Sequence, residues 1–225
     1  MKKSLLLLIW TFFSVFTFAS ETSSDVKNQV EEDKYIQLQI LHSLSQEHVV
    51  EAYLEAKLEG IIDFKLFNDA YHAYEKTTKR KKSILTIIDY SKPSTEKRFY
   101  VVDLDKKKLI YKTYVSHGVN SGKKQATKFS NVVNSRKTSL GTFLTDTTYY
   151  GSNGYSLRLD GLSSGLNDKA RERYIVVHGA KYANPSFIEK NGYLGRSWGC
   201  PALPESLTRD IIDTIKGGSV IYASA

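Results

Sequence analysis

One cysteine and one histidine give this chain its clearest chemical signal. Cys200 is the only cysteine among 225 residues and lies in the stretch GRSWGCPALP, between glycines and prolines. His178 ends a predicted strand, RYIVVHGA, 22 positions earlier. A thiol becomes a strong nucleophile when a neighbouring base removes its proton or when a cation lowers its pKa. Many chains contain both residue types, so the pair alone marks only candidates for covalent catalysis, with Cys200 as the nucleophile and His178 as the base.

The residues on either side of Cys200 shape the backbone around the thiol. Gly199 lets the chain turn sharply beside the nucleophile, and Pro201 fixes the exit from that turn. We expect the N–H groups of Gly199 and Cys200 to point at the oxyanion that forms when a carbonyl group is attacked.

The N-terminal sequence predicts that the thiol works outside the cytoplasm. Residues 1–19 contain two lysines, a long apolar run and a small residue at the end, which is typical of a cleaved secretory signal peptide. A retained membrane anchor is the alternative, but the apolar run of 15 residues is shorter than the roughly 20 that a spanning helix needs. An unpaired cysteine in an exported protein either joins another chain, reacts as a free thiol, or is buried and inert.

Composition narrows the expected partners. The formal net charge of +8 suits an anionic partner in the periplasm or cell envelope, and it also suits a merely soluble surface. We expect no nucleic-acid partner, because export and the absence of a recognition motif argue against one, and no stable membrane span after signal cleavage. The five histidines and one cysteine lack zinc-ligand spacing, so we predict no metal and no cofactor. The sequence leaves the oligomeric state open.

The mature chain divides into three predicted segments. Residues 20–34 are polar and are interpreted as a linker. Residues 35–82 carry apolar side chains at helical spacing and are predicted to be a helical N-terminal extension, with Gly60 ending the first helix and Asp63 capping the second. Residues 83–225 form the predicted catalytic domain.

The catalytic domain is predicted to be mainly β. Short runs rich in β-branched and aromatic residues are separated by Gly, Asn, Pro and Ser, which is typical of strands. One stretch, LPESLTRDIIDTIKGG, has the spacing of an amphipathic helix that ends at glycine. The predicted strands are ILTIIDY, RFYVVDL, KLIYKTYV, YSLRLDGL, RYIVVHGA and GSVIYAS.

The sequence around the two chemical residues resembles a known family. The pattern is a His-Gly pair at a strand end, a variable loop, and then Ser-x-Gly-Cys; here these are His178-Gly179 and the stretch 197–200. It is similar to the L,D-transpeptidase (YkuD-type) family, and more closely to its murein L,D-transpeptidase catalytic-domain branch. The resemblance covers roughly residues 83–222 and implies a β-sandwich or barrel with one or two packed helices.

The resemblance implies acyl transfer on peptidoglycan stem peptides. Cys200 would attack the carbonyl of a diaminopimelate residue, expel the terminal D-alanine and form a thioester, with His178 oriented by a backbone carbonyl. Attack by a second stem's amine would cross-link two stems, whereas attack by water would make the chain an L,D-carboxypeptidase. The chain departs from better-known members at Trp198, where they have a second histidine, and at Ala202 and Leu203, where an arginine often follows the cysteine.

Three neighbours of Cys200 are candidate substrate-binding residues. Arg196 is expected to clamp a stem carboxylate and to supply the missing positive charge, or else to form a surface salt bridge. Ser197 either bonds a catalytic group or caps the turn. Trp198 either forms a stacking wall for substrate or anchors the turn in the core.

Three further candidates lie on loops. His117, in SHGVNSG at a predicted strand end, either lines the cleft or packs near the core. Tyr182 and Asn184 lie on the loop between His178 and Cys200, which we interpret as a lid over the substrate.

Two other classes of function compete with the acyltransferase. A peptidoglycan-binding envelope protein without turnover would have no need of an unpaired thiol beside a base. A cysteine endopeptidase acting on ordinary proteins fits the Cys/His pair but lacks that family's local signatures. The sequence therefore favours an enzyme of the cell wall.

Overall fold

A computed structural model describes residues 23–225, so the predicted signal peptide (1–19) lies outside the described residues. In this part of the chain the helices are α1 (Ser23–Glu55), α2 (Phe64–Lys76), α3 (Pro185–Asn191) and α4 (Glu205–Ile215). Two short 3-10 helices lie at Val119–Ser121 and Lys181–Ala183.

The two N-terminal helices differ in part from their predicted bounds. Residues 23–34, predicted to be a polar linker, are helical, because no glycine or proline interrupts a stretch rich in Glu, Lys and Gln. Helix α1 ends before the predicted stop at Gly60, and the backbone turns at Lys57, whose φ is +53°. The predicted cap of α2 is present, since the Leu66 N–H donates to Asp63 Oδ1 at 3.1 Å.

The chain divides into two compact units at Glu47/His48, and the second unit contains everything described below.

A single eight-stranded sheet forms the centre of the second unit, in the order β3-β2-β1-β8-β4-β5-β6-β7. This architecture confirms the prediction of a mainly β catalytic domain. The strands are β1 (Ile84–Asp89), β2 (Phe99–Asp103), β3 (Lys108–Thr113), β4 (Gly141–Gly151), β5 (Gly154–Gly161), β6 (Val176–Gly179), β7 (Ala202–Leu203) and β8 (Val220–Ser224).

The sheet buries apolar side chains on both of its faces. In β1, Leu85 and Ile87 pack with α2 and the end of α1, whereas Ile88 packs in a second cluster with α4. This alternation follows from the two-residue period of a strand. The second cluster includes Ile211, Ile212 and Ile215, the apolar side of α4 that the sequence predicts.

Pairing at one edge of the sheet positions the two chemical residues. Strand β6 pairs with β7 in parallel, and the register places His178 opposite Ala202. Cys200 lies two residues before Ala202, so the parallel register brings it to the start of β6, beside Val176. A second connection comes from Ser116, whose N–H donates to the Ala202 carbonyl at 2.9 Å.

Strand β4 is the main element that the sequence analysis missed. Its sequence, GTFLTDTTYYG, is rich in threonine and less apolar than the other strands. It nevertheless lies inside the sheet, paired with β8 and β5, and its first residues alternate between buried and half-buried. Threonine is β-branched and fits a strand, so propensity rather than hydrophobicity is the signal that could have found it.

Candidate active site

A cavity of about 900 Å³ lies beside β6, and both His178 and Cys200 line it. The other predicted residues in its lining are Arg196, Ser197, Trp198 and Tyr182. The sulfur and the imidazole therefore share one solvent-connected space, as a joint chemical role requires.

His178 is held by strand pairing and by one hydrogen bond from its ring. Its Nδ1 lies 2.9 Å from the Gly179 carbonyl oxygen. Because a carbonyl only accepts, Nδ1 carries the proton and Nε2 is left as the basic nitrogen. Burial lowers the pKa of the imidazole below its ordinary value, so the ring is neutral near pH 7. A neutral ring with a fixed tautomer is able to accept a proton from a thiol.

Cys200 lies at the end of a tight turn that Ser197 closes. The Ser197 hydroxyl donates to the Cys200 carbonyl oxygen at 2.6 Å and accepts the Gly199 N–H at 3.0 Å. Ser197 thus caps the turn, which is one of the two roles predicted for it. The Ser197 N–H donates to the His117 carbonyl at 3.0 Å, which ties the turn to the neighbouring segment.

Gly199 is needed for its backbone conformation, and its N–H does not fit the predicted oxyanion role. Its φ is +123°, and a Cβ atom there would lie 2.7 Å from the Lys137 carbonyl oxygen. Any other residue would be strained and would clash with this backbone. The Gly199 N–H is already bonded to Ser197 Oγ, whereas no protein acceptor among the described residues takes the Cys200 N–H.

The environment of the Cys200 thiol combines opposing influences. Burial raises the pKa of the thiol, while a hydrogen bond from the Val176 backbone and the charge of Arg173 lower it. In this resting arrangement the Sγ is bonded to the Tyr174 carbonyl oxygen at 3.6 Å, and no hydrogen bond joins it to His178 among the described residues. The sulfur therefore faces the Tyr174 carbonyl in this arrangement.

Arg173 is the functional candidate that sequence reasoning missed. Its guanidinium lines the cavity and donates to the carbonyls of Ser130 and Lys137, both at 2.6 Å, and also to Ser139 Oγ. No carboxylate pairs with it among the described residues. We expected Arg196 to supply the positive charge near the thiol, but the charge that lowers the Cys200 pKa is that of Arg173.

Trp198 and Arg196 both face the cavity. The Trp198 side chain is 70% exposed, so it does not anchor the turn in the core, and the wall interpretation fits its position. Arg196 makes no salt bridge among the described residues; its guanidinium lies 5.7 Å from the centre of the Tyr193 ring. Tyr182 lines the cavity and packs against Gly195, where a Cβ would lie 2.3 Å from it.

Two predicted substrate-binding residues do not lie in the cavity. His117 is fully buried, with Nδ1 accepting from Arg98 at 2.8 Å and Nε2 3.1 Å from the Gly122 carbonyl. Asn184 instead holds the start of α4, because its Oδ1 accepts the Glu205 N–H at 2.9 Å and its Nδ2 donates to Glu205 Oε2 at 3.0 Å. The cleft expectation for both residues is wrong, since each side chain is occupied by structural hydrogen bonds.

Within residues 23–225, no group of three or more His, Cys, Asp or Glu side chains is arranged to hold a metal ion. The same residues contain no helix that is both long and apolar enough to cross a membrane.

Comparison with known proteins identifies one family. The family model of the L,D-transpeptidase catalytic domain matches residues 58–224, a range that includes α2 as well as the whole sheet. No curated protein matches the sequence at a significant level.

Several solved structures are similar at low identity. An L,D-transpeptidase from Mycobacterium smegmatis is 18% identical with a TM-score of 0.39, over 64% of this chain and 59% of that one. An L,D-transpeptidase from Stackebrandtia nassauensis is 15% identical with a TM-score of 0.38, over 75% and 73%. The helical cell shape determining protein Pgp2 from Campylobacter jejuni is 12% identical with a TM-score of 0.41, over 69% and 54%. The chain spans about three fifths of the length of the first solved structures it matches.

Proposed function

The chain belongs to the L,D-transpeptidase catalytic-domain family, and we propose that it is a cysteine acyltransferase acting on peptidoglycan stem peptides. The observation that carries the proposal is that His178 and Cys200 line one cavity. Family membership supplies the reaction class, and this geometry supplies a base and a nucleophile for it.

The first half-reaction would transfer the acyl group to the enzyme. The Cys200 thiol turns from the Tyr174 carbonyl toward His178, whose Nε2 takes its proton. The sulfur attacks the carbonyl carbon of diaminopimelate in the donor stem, and the C–N bond to the terminal D-alanine breaks. The imidazolium returns the proton to the leaving amine, and a thioester remains on Cys200.

Three groups of this chain would stabilise the charged species along that path. Arg173 and the Val176 N–H favour the thiolate, as their effects on the Cys200 pKa indicate. The Cys200 N–H is free to donate to the oxyanion of the tetrahedral intermediate, whereas the Gly199 N–H is held by Ser197. The oxyanion contacts thus differ from the pair expected from the sequence.

The second half-reaction depends on which nucleophile reaches the thioester. A side-chain amine of a second stem would break the C–S bond and give a cross-link, with His178 accepting the amine's proton. Water would release the shortened stem and make the protein an L,D-carboxypeptidase. In either case a peptidoglycan substrate would require the protein to work in the periplasm or cell envelope, and the signal peptide predicted at residues 1–19 supports this.

Incubation with purified muropeptides, followed by mass analysis, tests the proposal. Cross-linked dimers would identify a transpeptidase, loss of D-alanine alone would identify a carboxypeptidase, and incorporation of an added D-amino acid would identify exchange. The Cys200→Ala variant is the control and should produce none of these. If the unmodified protein leaves every muropeptide unchanged but binds it, the envelope binding protein replaces the enzyme.

A further inference from the structure

We propose that Arg136 and Trp198 form a carboxylate-binding subsite that makes the enzyme prefer stem peptides with free, unamidated side-chain carboxylates. This inference rests on the proposed function and adds a specificity determinant to it. Three features of the two residues carry it: their stacking, the charge of the cavity around them, and the backbone that presents Arg136.

The first observation is the stacked pair itself. The Arg136 guanidinium lies 4.3 Å from the centre of the Trp198 ring, and both residues line the cavity that contains Cys200. Both side chains are exposed, Trp198 by 70%. This cation–π contact keeps the guanidinium at the cavity wall, and none of its N–H groups has a hydrogen-bond acceptor within residues 23–225. A planar, preoriented fork of this kind matches a carboxylate.

The second observation is an imbalance of charge. Three arginines line the cavity (Arg136, Arg173 and Arg196), and Glu172 is the only carboxylate residue in its described lining. None of the three arginines forms a salt bridge within residues 23–225. The Arg173 guanidinium donates hydrogen bonds to neighbouring carbonyls and hydroxyls. The Arg136 side chain has no such partners in the described part of the chain, so an anionic ligand is the group that would satisfy it.

The third observation is the backbone that presents Arg136. Its φ is +54°, and that of Asn134 is +60°, so two non-glycine residues in one loop adopt the left-handed conformation. Asparagine tolerates this conformation, whereas arginine adopts it at a cost. The segment 118–120 holds Arg136 in this conformation. The Arg136 carbonyl accepts the Asn120 N–H at 3.1 Å, and a Cβ on Gly118 would lie only 2.5 Å from that carbonyl. Such local strain concentrates where a side chain must be aimed at a ligand.

The geometry favours a peptide carboxylate over other anions. Arg136 lies in the same cavity as the nucleophile, so we assign its ligand to the donor stem that acylates Cys200. A stem peptide carries carboxylates besides the one at its C-terminus. Converting these to primary amides removes the charge and places a donor opposite a donor, which the guanidinium would reject.

The test compares two donor peptides on four proteins. The donors are a stem tetrapeptide with free side-chain carboxylates and the same peptide with these carboxylates amidated; release of D-alanine gives kcat/KM for each. The proteins are the unmodified chain, Arg136→Gln, Arg136→Lys and the matched control Arg158→Gln. Arg158 also stacks on an aromatic ring, 4.2 Å from the centre of Tyr149, but does not line the cavity.

We expect the unmodified chain to prefer the free-carboxylate donor by roughly tenfold, the value of one charged hydrogen-bonded contact. Arg136→Gln should abolish this preference through KM, Arg136→Lys should restore part of it, and Arg158→Gln should retain it. Equal use of both donors by the unmodified chain, or an unchanged preference in Arg136→Gln, would overturn the subsite.

If no D-alanine is released, that result contradicts the proposed function and leaves the subsite to be tested by binding. The full chain has two tryptophans, so in a Trp10→Phe, Cys200→Ala background Trp198 is the only fluorophore of its kind. Its emission should change on titration with the free-carboxylate peptide at roughly tenfold lower concentration than with the amidated peptide. Identical titrations for the two peptides would overturn the subsite in this case too.

Discussion

The chain contains two His-Gly pairs that look alike in sequence, but one histidine is buried in a structural network and the other lines a cavity. His117-Gly118 and His178-Gly179 both follow an extended segment and precede a glycine-containing loop. Around His117, Arg98 and the Gly122 carbonyl occupy both ring nitrogens, and the side chain is fully buried. Around His178, only Nδ1 has a hydrogen-bond partner among the described residues, and the ring lines a cavity.

The difference between the two regions lies in what surrounds the second nitrogen of each ring. Arg98 is fully buried and donates to the carbonyls of Lys92 and Val115 as well as to His117, so it ties three backbone segments together. His117 serves as an uncharged acceptor in that network. Within residues 23–225 no group bonds the Nε2 of His178, so this nitrogen is available to accept a proton. A histidine whose second ring nitrogen has no hydrogen-bond partner can act as a base, whereas one with both nitrogens bonded serves a structural role.

The largest expected effect separates the two histidines by activity. His178→Gln should lower kcat/KM for D-alanine release by roughly 10²- to 10⁴-fold, because glutamine cannot act as a general base. His117→Gln should change kcat/KM far less. Circular dichroism at 20 °C checks that both variants remain folded. A similar loss of activity in the two variants would erase the proposed distinction between the regions.

The next effect separates them by stability as a function of pH. Burial and the nearby Arg98 lower the pKa of His117 to about 4, from an ordinary value of 6.5. Because the unfolded chain binds this proton first, the stability that His117 contributes is complete above pH 6.5 and is lost as pH falls toward 4. Between neutral pH and pH 4 the loss of stability through His117 is on the order of 3 kcal/mol.

Thermal unfolding from pH 7.5 to pH 4 measures this contribution. His117→Gln should have a lower Tm than the unmodified chain at pH 7.5, and the two curves should converge as pH approaches 4. The pKa of His178 is also lowered, but His178 is present in both proteins, so its effect cancels in the difference between their Tm values. A Tm difference that stays constant across this range would show that protonation of His117 does not matter.

A smaller effect concerns the charge beside the thiol. Arg173→Gln should raise the pKa of Cys200 further and slow its alkylation by iodoacetamide at pH 7, because less of the thiol is then ionised. Arg173→Lys should lie between. The ionisable residues around this thiol also include Tyr90, Tyr182 and His178, and all are retained in both variants.

The control for this measurement is Arg158→Gln, which removes the same charge away from the cavity. The whole pH–rate profile should be recorded, since a charge effect shifts its midpoint and a packing defect lowers its plateau. A lowered plateau with an unmoved midpoint would assign Arg173 to the scaffold alone.

The smallest expected effect concerns Asn184, which we predicted on a lid loop and which bonds to Glu205 at the start of α4. Asn184→Ala removes the acceptor of the Glu205 N–H at the start of α4 and should cost about 1 kcal/mol of unfolding free energy. Chemical denaturation measures that loss, and kcat/KM should stay within about twofold. A raised KM with unchanged stability would return Asn184 to the substrate site.

The sequence predicted what is local and missed what depends on packing. The strand that ends at His178 and the turn at Cys200 could be predicted because β-branched runs and glycines act within a few residues. Arg173 could not, because its position beside Gly199 depends on the loop carbonyls of Ser130 and Lys137, which are distant in sequence. The occupation of the Gly199 N–H by Ser197 is a question of hydrogen-bond partners, which residue types alone leave open.

The most direct test of the account is intact-mass spectrometry of the protein mixed with a stem tetrapeptide and no amine acceptor. We predict an adduct equal to the peptide minus D-alanine, located on Cys200, absent in Cys200→Ala and formed far more slowly in His178→Gln. D-alanine release without this adduct, or an adduct that persists in Cys200→Ala, would contradict a nucleophilic Cys200 assisted by His178.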